Sequence, residues 1–182
     1  MISADGGLPR RLTTGPANNI RPSWSRDGQW IYFGSDATTH PYIWKLPVRG
    51  GPALQVTKRN GGEAFESPDG KTLYYAMIDT PGIWKVPTEG GEETQVLGQG
   101  GESVWVLAEG GIVFFNLKNP DGPTLNLFSF STRKTTLLRQ FPKAPKVAGG
   151  GNVLSVSPDG RWILYTQTEQ SGSDLMLVEN FR

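Results

Sequence analysis

The sequence predicts an all-β protein in which one small antiparallel sheet is repeated four times. A turn motif recurs as Ser-Arg-Asp-Gly at 25–28 and as Ser-Pro-Asp-Gly at 67–70 and 157–160. The first two copies lie 42 residues apart and the last two lie 90 apart, which leaves room for one more copy. Glu-Gly-Gly at 109–111 stands in that place as a degenerate copy. A period of about 40–45 residues is typical of four-stranded repeat units.

Each repeat has the same internal pattern. A short first strand precedes the turn. Up to three further runs of strand-forming residues follow it, and the third of these runs is polar. The runs after the turns are 29–33, 42–48, 53–57, 71–76, 82–87, 93–97, 112–116, 125–130, 135–139, 161–167 and 174–178. Short runs rich in β-branched and aromatic residues, bounded by Gly, Pro and Asp, predict antiparallel β-strands.

The recurrent Asp-Gly motif has two interpretations. An Asp side chain bonds nearby backbone groups and Gly tolerates positive φ, so the motif suits a tight hairpin turn between the first and second strands of a repeat. A metal-binding aspartate motif is the alternative.

The chain is expected to form a single domain over residues 1–182. The four units cover approximately 21–57, 63–97, 102–139 and 152–181. Residues 5–13 are similar in pattern to the fourth strand of the first unit, and we expect them to form an outer strand that completes the last unit. That closure would leave no sheet edge exposed.

The repeats resemble those of TolB-like β-propellers, a WD-type repeat family. The resemblance is carried by Pro-Ser-Trp-Ser-Arg-Asp-Gly-Gln-Trp-Ile-Tyr-Phe at 22–33, Tyr-Ile-Trp-Lys-Leu-Pro at 42–47 and Gln-Val-Thr at 55–57. The second and fourth units match well, whereas the third lacks the Pro-Asp-Gly turn. The chain is also similar to the C-terminal propeller part of bacterial multi-domain regulators, in which a DNA-binding or kinase domain precedes the propeller.

The resemblance implies a β-propeller of four-stranded antiparallel blades, four of them in this chain. The family usually builds rings of six to eight blades. The four blades are therefore expected either to close alone as a four-bladed ring or to form half of an eight-bladed dimeric ring. A fragment of a larger ring is the third alternative.

Composition excludes several function classes. The chain has no Cys, which rules out disulfides, zinc–thiolate sites and thiol catalysis, and its one His is His40. Eighteen Lys and Arg against 17 Asp and Glu give a net charge of +1, so no nucleic-acid surface is predicted. No membrane segment, signal peptide or cofactor is predicted. For a bacterial protein, the cytoplasm and the periplasm both stay open.

Candidate ligand-binding residues lie in or beside the loops that enter the first strands, because these loops gather at the mouth of a propeller channel. They are Arg21, Trp24, Arg59, Asn60, Glu63, Glu102 and Asn152. Glu63 and Glu102 each follow Gly-Gly, so neighbouring blades are expected to present paired carboxylates for a cation or for acid–base chemistry. Solvated loop charges are the simpler interpretation. Trp24 is a candidate stacking platform, with packing between blades as the alternative.

These features favour a non-enzymatic propeller module that binds a protein, peptide or small molecule, such as the sensory or interaction part of a larger bacterial regulator. No catalytic residue and no metal site are predicted. A propeller enzyme of lyase or glycosidase type that uses carboxylates is one alternative, and a purely structural assembly module is another. A homodimer is expected if two chains share one ring.

Overall fold

The fold is all-β in the part of the chain that the structure describes. The computed structural model describes residues 1–38, 40–78, 80–101, 104–142 and 153–166. These residues form three four-stranded antiparallel sheets and one two-stranded sheet, with no helix among them. None of the described segments has a helix able to cross a membrane.

The four sheets follow one another along the chain, and we number them as blades 1 to 4. Blade 1 contains β1 (Asn19–Trp24), β2 (Trp30–Ser35), β3 (Tyr42–Pro47) and β4 (Leu54–Gln55). Blade 2 contains β5 (Glu63–Glu66), β6 (Thr72–Ala76), β7 (Ile83–Pro87) and β8 (Thr94–Leu97). Blade 3 contains β9 (Trp105–Ala108), β10 (Gly111–Asn116), β11 (Thr124–Ser129) and β12 (Thr135–Gln140). Blade 4 is described as β13 (Leu154–Val156) and β14 (Ile163–Tyr165).

Hydrogen bonds pair each strand with the next one in sequence, so every four-stranded blade is an up-and-down meander. Consecutive antiparallel pairing is what short turns between the predicted runs allow. The predicted all-β fold and the predicted four-stranded antiparallel sheets are therefore confirmed for the three sheets between Asn19 and Gln140. The third strand of blade 4, expected at 174–178, lies outside the described residues.

The Ser-x-Asp-Gly motifs form three matching hairpin turns. In the first, Ser25 Oγ donates to Asp27 Oδ1 at 2.6 Å, and the amide of Gln29 donates to the same oxygen at 2.9 Å. Ser25 Oγ also accepts the amide of Trp30 at 2.8 Å. The turns at 67–70 and 157–160 repeat these bonds. The carboxylates thus bind their own turns, which supports the hairpin interpretation of the motif.

Three apolar clusters hold successive blades face to face. The cluster between blades 1 and 2 contains Tyr32, Ile43, Val56, Ala64, Leu73, Tyr75 and Val86. The cluster between blades 2 and 3 contains Ala76, Ile83, Trp105, Ile112 and Phe114. The cluster between blades 3 and 4 contains Val104, Val113, Phe115, Leu125, Phe141, Val153 and Leu154. Each fully buried side chain of this size contributes about 1.5–3 kcal/mol, so these clusters dominate the stability of the stack.

Strand register shows which residues are equivalent in the four blades. The cross-strand pairs Trp24–Ile31, Glu66–Leu73, Leu107–Ile112 and Val156–Ile163 take the same place at the turn end of the first strand. This equivalence makes it possible to compare one interface between blades with the next, residue by residue.

Strand β1 departs from the regular pattern at Arg21. The pairing of β1 with β2 shifts between Ile20 and Ser23, and Arg21 adopts a positive φ of 51°. An extra residue that bends one strand in this way is a β-bulge. The bulge sits on the innermost strand of blade 1, where the sequence predicted a ligand-binding arginine.

The predicted outer strand at 5–13 is not formed. These residues contain no strand beyond an isolated bridge between Ser3 and Gly6. Instead, Arg10 exchanges backbone hydrogen bonds with Met1, and its guanidinium donates to the carbonyl of Val48 in blade 1. The segment therefore lies against blade 1 in this structure, and completion of blade 4 by it is not confirmed.

The backbones of blades 1 and 2 pass close to each other at two glycines. A Cβ built on Gly34 would lie 2.7 Å from the carbonyl oxygen of Gly62 and 2.9 Å from its Cα. Both atoms are backbone, so the clash cannot be relieved by rotating a side chain. Strand β2 can therefore pass this point only without a side chain.

We expect Gly34→Ala to destabilise the protein by about 1–3 kcal/mol, the usual effect of overpacking. Chemical denaturation should show the loss as a lower midpoint with an unchanged slope. Gly110→Ala is the matched control, because a Cβ there meets nothing within 4 Å. Equal midpoints for the two variants would mean that the blades separate easily at this point.

The aspartate turns predict an acid limit to stability. The pKa values of Asp27, Asp69 and Asp159 are lowered, first by the serine hydroxyl and then by the backbone amide. Groups with depressed pKa values stabilise the fold above their unfolded pKa, which is about 3.9 for Asp, and lose that contribution as pH falls through the folded value. The thermal midpoint of the wild type should therefore drop below about pH 4.

Asp69→Asn isolates this effect. We expect the variant to melt below the wild type at pH 7, and the gap to narrow as the pH falls below about 3.9 and through the lowered folded pKa of the wild-type carboxyl. Circular dichroism melts over a series of pH values measure the gap. A gap of constant size would assign the loss to geometry rather than to charge.

Candidate functional site

The loops between strands gather on one side of the blades. Because the strands alternate in direction, the connections β2–β3, β4–β5, β6–β7, β8–β9 and β10–β11 all leave the side opposite to the Asp-Gly turns. We call this side the loop face. A cavity of 580 Å³ opens on it between blades 2 and 3.

Three loops line the loop-face cavity. Its described lining is Met77, Thr80, Pro81, Gly98, Gln99, Gly100, Gly101, Val104 and residues 115–120. Met77, Pro81, Leu117 and Pro120 give the cavity an apolar wall. Two further lining residues, Val104 and Phe115, are buried in the core between blades 3 and 4.

Polar groups stand around that apolar wall. Asn116 Oδ1 accepts the amide of Lys118 at 3.2 Å, and Asn119 Nδ2 donates to the carbonyl of Gly122 at 2.8 Å. These bonds fix the loop that carries the Lys118 ammonium group. The arrangement offers a cation and amide groups beside an apolar surface, which is a chemistry for binding a polar ligand.

Arg59 lies at the outer edge of the interface between blades 1 and 2. Its guanidinium carbon lies 4.6 Å from the centre of the Trp84 ring, and its Nε is 3.7 Å from Glu93 Oε2. Glu93 also accepts the hydroxyl of Tyr75 at 2.9 Å and the backbone amide of Lys58. The structure therefore gives Arg59 a packing partner and an ionic partner within the chain.

Asn60 links the entry loop of blade 2 to the neighbouring loop. Its Nδ2 donates to the carbonyl of Ile78 at 3.1 Å. Its Oδ1 is buried and accepts no hydrogen bond from the described residues. Asn60 is thus held at the loop face with one acceptor still available.

Glu63 and Arg21 lie on neighbouring innermost strands. Strands β1 and β5 are adjacent, since Ser23 Oγ donates to the carbonyl of Ala64 at 2.7 Å. Glu63 is only 2% exposed, and Arg21 is partly buried at the bulge. Each of the two has an interaction partner. Replacing Glu63 would therefore change stability as well as any ligand contact.

Trp24 lies away from the loop face, at the turn end of β1. It is 55% exposed and lines a groove of 360 Å³ between blade 1 and the N-terminal segment. The other walls of the groove include Arg10, Phe33 and Leu46. An exposed indole in a groove is compatible with stacking, but it does not share a site with the other candidates.

Two predicted site residues, Glu102 and Asn152, lie outside the described residues. The carboxylate pair of Glu63 and Glu102 therefore stays a prediction. Within the described segments, no group of three or more His, Cys, Asp or Glu side chains is placed to hold a metal ion.

The sequence prediction covers only part of the cavity. The β8–β9 loop, which enters a first strand, contributes residues 98–101, but the loop that joins β10 to β11 was not predicted. The Lys-Asn-Pro-Asp-Gly stretch at 118–122 was a usable signal, because it combines a cation and an amide with strong turn residues.

No family model matches the chain. An uncharacterized protein of Agrobacterium fabrum is 35% identical over 80 residues, which are 43% of this chain and 27% of that protein. The chain therefore spans about a quarter of the length of this curated relative.

Solved structures are similar over most of the chain. TolB from Acinetobacter baumannii matches with a TM-score of 0.70 and 19% identity, over 93% of this chain and 43% of that one. A TolB homologue from Agrobacterium tumefaciens matches with a TM-score of 0.64 and 18% identity, over 90% and 64%. Oligogalacturonate lyase from Vibrio parahaemolyticus matches less well, with a TM-score of 0.52 and 16% identity, over 80% and 51%.

Identities below 25% show the fold alone, and here they agree with the strand order and the repeated turns. The chain thus has the TolB-like β-propeller fold.

Proposed function

We propose that the chain is a non-enzymatic propeller module that binds a peptide or small polar ligand at its loop face. The observation that carries this proposal is the 580 Å³ cavity between blades 2 and 3, with its apolar wall and polar loops. Ligand sites are concave, mostly apolar and furnished with a few placed polar groups. Loops on a rigid scaffold are also where binding residues usually lie.

The chemistry of the cavity favours binding over catalysis. The fold alone does not distinguish a binding protein from an enzyme, because propellers of similar structure include both TolB and an oligogalacturonate lyase. The described lining offers an ammonium group, amides and backbone groups, and none of its residues is a carboxylic acid or an imidazole. Such groups hold and orient a ligand but do not form an acid–base pair.

The proposed site also includes the part of the loop face next to the cavity, which carries the predicted residues Asn60, Glu63 and Arg21. They flank the entry of blade 2, and Asn60 keeps a buried acceptor that a ligand donor would satisfy. In a larger bacterial regulator, occupancy of this face would be sensed by another domain.

Panning a phage-displayed library of random dodecapeptides tests the proposal. We expect peptides enriched on the wild type to lose about tenfold or more in affinity for the double variant Asn116→Ala and Lys118→Ala, because a charge-assisted hydrogen bond and its positioning amide are removed. Calorimetry on synthetic peptides gives the affinities.

Lys58→Ala is the control, since Lys58 is an exposed lysine outside the cavity lining. Its affinity should equal that of the wild type. Failure to enrich any peptide, or equal binding by the double variant, would remove the cavity as a peptide site.

We further propose that two copies of the chain complete one ring. The face of blade 1 that points away from blade 2 carries Ile31, Phe33 and Leu46, the register equivalents of Leu73, Tyr75 and Val86 that blade 2 buries against blade 1. The N-terminal segment lies against this face, where Phe33 is 6% and Leu46 5% exposed, so a second copy would have to displace it. The opposite face of blade 4 carries Leu164, which is 72% exposed and equivalent to Tyr32. By repeat position, Leu164 would meet Trp24, and both are apolar.

Light scattering at several concentrations tests this closure. A two-chain ring should show twice the monomer mass of 19.9 kDa, and Leu164→Lys should convert it to the monomer. Leu137→Lys is the control, because Leu137 is an exposed leucine on the outer strand β12. A wild-type monomer at all concentrations would overturn closure by a second copy.

A further inference from the structure

The interface between blades 2 and 3 contains a groove on the side of the Asp-Gly turns, opposite to the loop face. Its volume is 780 Å³. Blade 2 contributes Tyr74 and Lys85, and blade 3 contributes Phe128, Phe130 and Arg133. We call it the turn-side groove.

The interface between blades 1 and 2 shows how the same place is filled there. Lys45 Nζ donates to the carbonyl of Thr88 and to Glu89 Oε1, both at 3.0 Å, and lies 4.7 Å from the centre of the Trp30 ring. Because these partners surround it, Lys45 is only 5% exposed.

A second donor of blade 1 is satisfied in the same interface. Tyr32 Oη donates to Glu66 Oε1 at 2.9 Å. Burial, followed by the hydrogen bond to Glu66, raises the pKa of Tyr32, so its hydroxyl stays protonated as a donor. Two donors of blade 1 thus meet two carboxylates of blade 2.

Blade 2 repeats both donors. Tyr74 pairs with Lys85 across β6 and β7, as Tyr32 pairs with Lys45 across β2 and β3. Burial raises the pKa of Tyr74, with the charge of Asp69 as the lesser cause, so this hydroxyl is also a donor.

Blade 3 does not repeat the two carboxylate acceptors. Leu107 stands where blade 2 has Glu66, since each is the partner of an equivalent second-strand residue. By the register of Phe128 with Ile112, Ser131 stands where blade 2 has Glu89. Thr72 takes the place of Trp30 and lines the groove. Across the described segments, neither Tyr74 Oη nor Lys85 Nζ has a hydrogen bond or ion pair.

The groove is lined by charged groups of both signs. Arg133 adds a second cation and adopts a positive φ of 55° in the β11–β12 turn. Asp69 and Glu109 are the acidic lining residues. Asp69 already accepts Ser67 Oγ at 2.6 Å and the amide of Lys71 at 3.1 Å. The charged lining residues thus balance each other, so the groove has no net positive charge. An acidic ligand group would be attracted by the nearby cations Lys85 and Arg133 themselves.

We propose that the turn-side groove binds an acidic peptide segment of a partner protein, with a carboxylate side chain on Lys85 in the manner of Glu89 on Lys45. Phe128 and Phe130 form an apolar wall for the residues next to the acid. Charge-assisted hydrogen bonds of this kind are the strong ones, and Lys85 has no competing partner in the described chain. This site is separate from the loop face, so either proposal can fail alone.

A peptide copied from the chain itself is the sharpest probe. We would titrate the ¹⁵N-labelled protein with the capped heptapeptide Val-Pro-Thr-Glu-Gly-Gly-Glu, which reproduces residues 86–92, and follow amide shifts by NMR. Saturable shifts are expected in β6, β7 and the β11–β12 turn. The same peptide with both Glu replaced by Gln should bind about tenfold more weakly.

Two variants and one control test the assignment to Lys85. Lys85→Met removes the cation, and Ser131→Glu supplies an internal carboxylate that competes with the peptide. Each should weaken binding about tenfold, the effect of one lost charge-assisted hydrogen bond. Lys58→Met should bind as the wild type does. Because Ser131 is exposed in a turn, the second variant remains informative if Lys85→Met folds poorly.

Three results would overturn the proposal. The first is equal binding of the Glu and Gln peptides. The second is unchanged affinity in Lys85→Met and Ser131→Glu. The third is equally tight binding of N-acetylglutamate amide, which would make the groove a site for small acids instead of a peptide segment.

Discussion

Each blade has two apolar faces, and the structure depends on covering both of them with the neighbouring blades. Blades 2 and 3 achieve this with three buried clusters that they share with blades 1 and 4. Everything else adapts to this stacking. Gly34 lacks a side chain because the backbone of blade 2 passes within contact distance. Arg59 fills the outer edge of the same interface by lying on Trp84 and pairing with Glu93.

Polar contacts distinguish interfaces that apolar packing alone would make alike. Lys45 and Tyr32 are satisfied by carboxylates of blade 2. For Tyr74 and Lys85, the equivalent positions of blade 3 are Leu107 and Ser131. A net hydrogen bond contributes about 1 kcal/mol, less than one buried aromatic side chain. An interface can therefore stay closed without such bonds. Donors that have no acceptor among the described residues, such as the Tyr74 hydroxyl and the Lys85 ammonium group, are then available to a ligand.

Most of the fold could be predicted from the sequence, because its signals are local. The Ser-x-Asp-Gly motif closes its turn within six residues, and alternating apolar residues mark the strands on either side. The candidate site was harder, since it depends on contacts between distant residues. Nothing near Arg59 in sequence announces Trp84 or Glu93, and Glu63 looks like an exposed loop acid until β5 buries it. The 5–13 segment shows the same limit, because its strand-like pattern did not specify a partner strand.

The turn between β9 and β10 differs from the other three, and this difference has an evolutionary meaning. Glu-Gly-Gly replaces Ser-x-Asp-Gly there, yet Gly111 still pairs with Ala108 and the blade keeps its four strands. In a stack where each unit contacts only its neighbours, a change in one unit affects the two interfaces that this unit forms and leaves the other interfaces unchanged. Duplicated units can therefore drift apart one at a time. The third unit has a different turn, and it carries Leu107 and Ser131 where blade 2 has Glu66 and Glu89. It is a copy in which a new binding specificity was free to arise.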